Sequence, residues 1–267
     1  MISIYDDTDL LIYCSFMASI IGAVFGSFLN CTAYRIVHGE NFTKGRSHCT
    51  SCGHELSTLD LIPVLSWVFL KGKCRYCGKK VSVRYPLTEL FFSVMAVCCL
   101  LKFDLTVLAL RNFIFACCLF CLSLADMEGM TIPDGTLIIA AAAYLILTPL
   151  AGISWKTMGL HLLAGLGFGA ALLLISLVFD RILGKESMGG GDIKLFALCG
   201  LYLGFVSGMF TVILACVIGL VFVAVWKALP GKKNPEFPFG PSVALSAWIV
   251  MLYGEPVVNW YLGLIGL

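Results

Sequence analysis

Long apolar segments separated by short polar ones dominate this chain. The apolar segments cover, to within a few residues, positions 10–34, 86–101, 105–124, 133–152, 157–179, 189–204, 206–229 and 240–265. A helix needs about 20 residues to cross the hydrocarbon core of a bilayer, and most of these segments reach that length. The pattern predicts an all-α polytopic membrane protein with about eight transmembrane helices.

Composition supports this prediction. Of the 267 residues, 60% are hydrophobic and only 13% are charged, and the mean hydropathy is +0.95. A water-soluble domain of this length does not need so much apolar surface. The composition therefore excludes an ordinary soluble domain.

Lysine and arginine are distributed unevenly between the predicted loops. If eight segments span the membrane, 14 of the 18 basic residues lie on one side. These residues are Arg35, Lys44, Arg46, Lys71, Lys73, Arg75, Lys79, Lys80, Arg84, Arg181, Lys185, Lys227, Lys232 and Lys233. The positive-inside rule places that side in the cytoplasm and both termini on the opposite side.

The one substantial polar segment, residues 36–85, contains four cysteines in two closely spaced pairs. Cys49 and Cys52 form the first C-x2-C pair, and Cys74 and Cys77 form the second after 21 residues. Two such pairs can bring four thiolates to the corners of a tetrahedron, which is the geometry of a structural zinc site. The alternative is two disulfides, but thiols stay reduced in the cytoplasm. We therefore predict a small cytoplasmic domain that binds Zn²⁺.

Neighbouring histidines and the size of this loop bear on the same prediction. His48 and His54 adjoin the first cysteine pair and could substitute as ligands, although four cysteines already complete the shell. A loop of this length cannot bury enough apolar surface to fold alone, so metal binding should supply much of its folding free energy. The predicted zinc ion is therefore structural and not catalytic.

Two aspartates lie at the ends of apolar segments, Asp126 in LADMEGMTIPD and Asp192 in MGGGDIKL. An ionisable residue so close to hydrocarbon is costly and indicates a functional site. Paired carboxylates imply acid/base chemistry, in which one carboxylate accepts a proton and one carboxylic acid donates a proton. Two neighbouring carboxyls that share one proton supply both states. We therefore predict that Asp126 and Asp192 are catalytic.

Other polar and small residues near the predicted helix ends have simpler explanations. Asp134 follows Pro133 and is predicted to cap the next helix. Lys194 should point away from Asp192 and extend to the interface. Gly22 and Gly26 have the small-xxx-small spacing of a helix-packing face. None of these residues needs a role in the chemistry.

Five sequence motifs, taken together, resemble the bacterial type IV prepilin peptidases. They are GSFLN with the following YR, the stretch from Arg46 to Leu90, IPD at Ile132–Asp134, MGGGDIKL at Met188–Leu195 and FGP at Phe239–Pro241. The resemblance covers most of the chain and includes both cysteine pairs. The two acids of that family, which belongs to the G-x-G-D intramembrane aspartic proteases, fall on Asp126 and Asp192.

The resemblance implies a bifunctional enzyme of the bacterial inner membrane. Such an enzyme removes the basic leader from type IV prepilins or type II secretion pseudopilins at the cytoplasmic face. It then N-methylates the new terminus with S-adenosyl-L-methionine. Residues 1–35 would be the first transmembrane helix, residues 36–85 the zinc domain and residues 86–267 the peptidase domain. The predicted partners are these substrates and membrane lipid, with no nucleic acid.

No glycine-rich loop of the dinucleotide-binding kind marks a methyl-donor site. Glu89 lies close to the zinc loop and near the start of the second span, where a carboxylate could attract the sulfonium or the new amino terminus. We therefore predict that Glu89 belongs to the methyltransferase site.

A non-enzymatic membrane transporter with a zinc-stabilised loop is the alternative. Transporters place such acids near the middle of the bilayer. In this chain Asp126 and Asp192 lie at the ends of their spans, which favours the peptidase.

Overall fold

The computed structural model describes residues 3–41, 45–185, 187–228 and 237–264 and is helical throughout them, apart from loops and two isolated β-bridges. The helices are α1 (Thr8–Val37), α2 (Leu65–Phe69), α3 (Arg84–Phe103), α4 (Val107–Gly129), α5 (Asp134–Leu150), α6 (Trp155–Leu183), α7 (Gly190–Ala228) and α8 (Gly240–Leu264). A single 3₁₀ turn, Thr58–Leu61, precedes α2. The all-α prediction is confirmed.

Six of these helices are long and apolar enough to cross a membrane, namely α1, α3, α4, α6, α7 and α8. Helix α5 is also apolar but has only 17 residues, which is at the lower limit for a span. The chain is therefore a multi-pass membrane protein, as its composition predicts.

Helix α7 is interrupted at Gly204, where φ is 76° and ψ is −175°. The Phe168 ring of α6 lies against both Gly200 and Gly208, since a Cβ on either glycine would lie 2.6 or 2.5 Å from it. Those two positions would be about 12 Å apart along a straight helix, so the chain bends sharply between them. The predicted break between segments 189–204 and 206–229 is at Gly204. Counted in this way, the six long helices and α5 correspond to the eight predicted segments.

The chain divides into two compact units, Met1–Ala109 and Leu110–Leu267. In the first unit α1 packs along α3 through the predicted small residues. A Cβ on Gly22 would overlap the Phe92 carbonyl oxygen at 2.3 Å, and one on Gly26 would lie 3.0 Å from the Glu89 Cα. Both glycines are therefore required for the close approach of the two helices, and the predicted packing face is confirmed.

In the second unit α7 contacts α5, α6 and α8. Phe115 of α4 stacks on Tyr202 of α7 with ring centroids 3.8 Å apart. The Tyr202 hydroxyl donates a hydrogen bond of 2.7 Å to the Ala140 carbonyl of α5. Other fully or nearly fully buried core residues are Leu119, Leu122, Leu137, Leu195, Cys199, Val243 and Ala247. This core positions the end of the bundle where the two predicted acids lie.

A buried arginine lies within the same core. The Arg111 guanidinium is 5.3 Å from the Tyr144 ring centroid and 5.4 Å from that of Tyr202. It donates to the Asn112 side-chain oxygen and to the Thr148 hydroxyl, which is 3.2 Å away. Aromatic faces and neutral acceptors therefore stabilise this charge inside the bundle.

Gly204→Ala should lower the free energy of unfolding by about 1–3 kcal/mol, because a residue with a Cβ is strained at this φ and ψ. The new Cβ would also lie 3.1 Å from the His161 Nε2. Thermal unfolding in detergent measures the effect. Gly167→Ala is the matched control, because a Cβ there meets no atom within 4 Å. Equal melting temperatures for the two variants would contradict the strained break.

Candidate active site and metal centre

Asp126 lies on the core face of α4. It continues the series Phe115, Leu119 and Leu122, whose spacing of three and four residues keeps one face of a helix toward the core. The Asp126 residue is only 6% exposed. The helical periodicity of α4 therefore directs this carboxyl into the bundle.

Asp192 is in the first turn of α7, on the face that also carries Leu195, Cys199 and Tyr202. It is partly buried and interacts electrostatically with Asp126. The loop ahead of it is held by Asp180, whose carboxylate accepts a 2.6 Å hydrogen bond from the Ser187 amide. The structure thus brings the two predicted acids together, whereas their catalytic role stays a prediction.

The first residue of α8 holds Asp126. The Gly240 amide donates a hydrogen bond of 2.8 Å to the Asp126 Oδ2. A Cβ on Gly240 would lie 2.8 Å from that same oxygen, so only glycine fits without a shift. The start of a helix also carries partial positive charge, which stabilises a carboxylate. The FGP motif therefore supplies a backbone donor to one acid, a contact that the sequence analysis missed.

The segment between α4 and α5 contacts the start of α7 at two points. Ile132 packs against Gly191, where a Cβ would lie 2.8 Å from the Ile132 Cβ. Farther along, Lys194 forms an ion pair with Asp134, with 2.7 Å between Nζ and Oδ1. The IPD motif therefore forms one wall beside Asp192.

One smaller prediction about this wall is wrong. The N-cap of α5 is Pro133, whose φ of −69° and ψ of 120° are extended, and Asp134 is already the first helical residue. Its carboxylate therefore pairs with Lys194 instead of capping its own helix. The extension of Lys194 to the interface stays a prediction, since both side chains of this pair are more than half exposed.

The four predicted metal ligands form one cluster in the first unit. The sulfur atoms of Cys49, Cys52, Cys74 and Cys77 all lie within 4.8 Å of one another. Each pair sits in a tight turn, closed by the Gly53 amide on the Cys49 carbonyl and by the equivalent bond in the second pair. Four thiolates at this spacing fit a tetrahedral metal ion, so the cluster could bind a metal.

Asp60 connects the 3₁₀ turn to the second cysteine pair. Its carboxylate accepts from Arg75 Nε at 2.6 Å, from the Tyr76 hydroxyl at 3.0 Å and from the Ser57 hydroxyl at 2.7 Å. Burial raises the pKa of Asp60, but these hydrogen bonds more than offset it and hold the pKa at about 2. The ring of His54 packs on that of Tyr76 with centroids 3.7 Å apart and the two planes tilted by 36°. His54 therefore packs beside the cluster, as a histidine without a ligand role would.

Glu89 is buried in the first unit and contacts the loop of residues 45–83 that carries the four cysteines, which we call the metal loop. Its Oε2 accepts a hydrogen bond of 2.7 Å from the Val64 amide. Val64 has a φ of 59° and a ψ of −52°, a strained conformation for a β-branched residue. A strained backbone conformation persists where neighbouring contacts hold it in place. The hydrogen bond to Glu89 is one such contact for Val64. The role of Glu89 in methyl transfer stays a prediction.

Two interacting aspartates at helix ends in a multi-pass helical bundle fit a membrane-embedded aspartic peptidase. Residues 20–103 match the model of the Bacterial Peptidase A24 N-terminal domain, and residues 113–224 match that of the Type IV leader peptidase family. The chain belongs to the type IV leader peptidase family. This membership favours the peptidase over the transporter alternative.

Three relatives illustrate the similarity, each named prepilin leader peptidase/N-methyltransferase. The protein from Bacillus subtilis (strain 168) is 32% identical over 91% of this chain and 96% of its own length. That from Aeromonas salmonicida (strain A449) is 30% identical over 84% of this chain and 77% of its own length. The Pseudomonas putida protein is 29% identical over 94% of both. No solved structure matches the chain.

Cys49→Ser combined with Cys74→Ser should abolish metal binding, because two ligands then remain in a site that fits four. We expect the freshly purified, reduced wild-type protein to contain one metal ion per chain by elemental analysis. Cys216→Ala, at an exposed cysteine outside the cluster, should leave the metal content unchanged. Wild-type protein without metal would rule the site out.

Proposed function

We propose that this protein removes the leader peptide of type IV prepilins, or of type II secretion pseudopilins, and N-methylates the new terminal residue. Its family membership and the names of its relatives support both activities. The observation that carries the peptidase half is the meeting of Asp126 and Asp192 inside a helical bundle. An apolar surround favours a shared proton between two such carboxyls, which is the state that peptide hydrolysis needs.

We infer separate roles for the two acids from the hydrogen bond that Gly240 donates to Asp126. The Gly240 amide and the start of α8 favour the ionised form of Asp126, so in our proposal Asp126 is the base. It takes a proton from water as the water oxygen attacks the scissile carbonyl carbon, while the Asp192 carboxylic acid protonates the carbonyl oxygen. When the C–N bond breaks, the nitrogen receives the proton held by Asp126. A hydroxyl proton of the intermediate then returns to Asp192.

The three glycines before Asp192 differ in what they can offer a substrate. Gly191 is already covered by Ile132, and Gly189 lies beside the Asp192 carboxyl, where a Cβ would be 3.5 Å from Oδ2. A Cβ on Gly190 would meet no atom within 4 Å. We propose that an extended substrate backbone passes over Gly190, next to the acid that protonates its carbonyl.

For methyl transfer we propose a role for Glu89. S-adenosyl-L-methionine, when bound, supplies the methyl group. The Glu89 carboxylate is buried, and a buried negative charge attracts a sulfonium or a new α-ammonium group more strongly than an exposed one does. The same carboxylate accepts the hydrogen bond of the Val64 amide. A test of Glu89 must therefore remove its charge and keep this hydrogen bond.

The location of the protein is a further part of the proposal. We propose that it lies in the bacterial inner membrane, with the zinc loop and the aspartate pair on the cytoplasmic side and with residues 1–35, 36–85 and 86–267 as its functional parts. The distribution of lysine and arginine supports this orientation. Protease added to intact spheroplasts should leave residues 36–85 uncut, and cleavage there from outside would contradict the orientation.

Asp126→Asn and Asp192→Asn should each lower cleavage of a leader-bearing pilin segment by at least about 100-fold, because one carboxyl cannot serve as both acid and base. Purified variants in detergent and mass spectrometry of the peptide products give the measurement. Asp134→Asn is the control, since its exposed ion pair contributes little and should leave substantial activity. Normal processing by either of the first two variants would remove the proposed mechanism.

Gly240→Ala should lower kcat by about 100-fold and change KM little, because the added Cβ would displace the Asp126 carboxyl without entering the substrate path. Steady-state kinetics on the same segment separate the two constants. Gly263→Ala, in the same helix but with no atom within 4 Å of its Cβ, should match the wild type. An unchanged kcat for Gly240→Ala would show that the α8 amide does not position the base.

Glu89→Gln should abolish methylation and spare cleavage. The glutamine oxygen can still accept the Val64 hydrogen bond, so this change removes the charge and retains the contact. Mass spectrometry of one reaction distinguishes cleaved from cleaved and methylated product. Full methylation by this variant would mean that Glu89 has only a structural role.

A further inference from the structure

Helix α2 turns a face of apolar side chains outward from the metal loop. Leu65, Val68 and Phe69 are 54%, 56% and 79% exposed. Their spacing of three and four residues places all three on one side of the helix. We call Leu65, Val68 and Phe69 the α2 ridge. A loop surrounded by water on all sides does not normally expose three large apolar side chains next to one another.

The α2 ridge is held in place from two directions. The Trp67 indole donates a 3.2 Å hydrogen bond to the Val81 carbonyl, and its ring lies so close to Gly72 that a Cβ there would be 2.8 Å away. These contacts fix α2 to the second cysteine pair. On its other side, the Val64 amide, one residue ahead of α2, binds Glu89. The exposure of the ridge is therefore a property of the folded loop.

The same contacts give the depth of α2 relative to the spans. Glu89 lies in the second turn of α3, not at its end. At this level Asn30 of α1 donates to the Thr88 hydroxyl at 3.2 Å, and Ser27 hydrogen-bonds to Glu89. Ser27 and Asn30 both belong to the apolar stretch of α1. Helix α2 begins at the residue after Val64, and Val64 is bound to Glu89. The start of α2 therefore lies beside the two membrane spans α1 and α3.

The charge of the loop matches an anionic surface. Between residues 45 and 83 the basic residues are Arg46, Lys71, Lys73, Arg75, Lys79 and Lys80. The acidic residues of the same stretch are Glu55 and Asp60, and Asp60 is paired with Arg75. An apolar helical face beside basic side chains is typical of segments that lie in the interface of anionic bilayers.

We propose that the α2 ridge inserts into the boundary between headgroups and acyl chains of the anionic bilayer that the spans cross, and so anchors the metal loop at a fixed depth. The partner is lipid and not a peptide substrate or a second copy of the chain. The inference depends on the membrane spans and on the loop contacts. It does not depend on the proposed peptidase chemistry, so each can fail separately.

Photo-cross-linking of the full chain tests this proposal. A benzophenone amino acid replaces Phe69 in protein reconstituted into vesicles of phosphatidylethanolamine and phosphatidylglycerol, and mass spectrometry identifies the adducts. Glu55, an exposed acid three residues after Cys52, is the control position. We expect severalfold more lipid adduct from position 69 than from position 55. Replacement of phosphatidylglycerol by phosphatidylcholine should lower the yield at position 69.

Two results would overturn the proposal. One is a yield of lipid adduct at position 69 no higher than at position 55. The other is a predominance of adducts to a second copy of the chain. The same label at Val68 repeats the test if the Phe69 variant does not fold, because both side chains belong to the ridge. A metal content equal to that of the unlabelled protein, which we expect to be one ion per chain, shows that each labelled loop is folded.

Discussion

The second unit depends on holding two carboxyl groups next to each other in an apolar bundle. Desolvation and mutual repulsion both oppose this arrangement, and hydrogen bonding has to offset them. The structure uses main-chain groups for the purpose. Gly240 brings its amide to Asp126 because it has no Cβ, and Gly191 allows Ile132 to close the wall beside Asp192. The acid pair therefore requires glycine at both positions. A side chain at residue 240 would displace the Asp126 carboxyl, and one at residue 191 would displace Ile132.

The first unit meets a different constraint, which is that its loop is too small to fold by burial of apolar surface alone. In place of a hydrophobic core, the loop has four cysteine sulfurs at metal-binding distance, the hydrogen bond of Arg75 to Asp60 and the hydrogen bond of Trp67 to Val81. Glu89 then attaches this loop to α3 through the strained Val64 turn. A carboxyl that could attract a cationic group is thus also the residue that fixes the position of the loop. Its charge and its hydrogen bond must be tested separately for that reason.

Much of this arrangement follows from local pattern. Apolar segments locate the helices and even the break at Gly204, because a hydrophobic stretch too long for one span has to be divided. Cysteine spacing and the two aspartates predict the metal cluster and the acid pair. The ion pair of Lys194 with Asp134 does not follow, because it depends on a helix that begins at Asp134 itself, one residue earlier than a capping aspartate would require. Nor does the Gly240 contact, since the partners are 114 residues apart and only packing brings them together.

The shared proton between Asp126 and Asp192 is the central claim, and infrared difference spectroscopy of the resting protein in bilayers near neutral pH tests it most directly. A protonated carboxylic acid gives a carbonyl stretching band that shifts in deuterated water. The account predicts one such band that disappears in Asp192→Asn, which removes the acid, and weakens in Asp126→Asn, which removes the neighbouring charge that favours the protonated form. Glu89→Gln, at a buried carboxyl in the other unit, should leave this band in place. A band that survives both aspartate substitutions, or its absence from the wild type, would contradict the account.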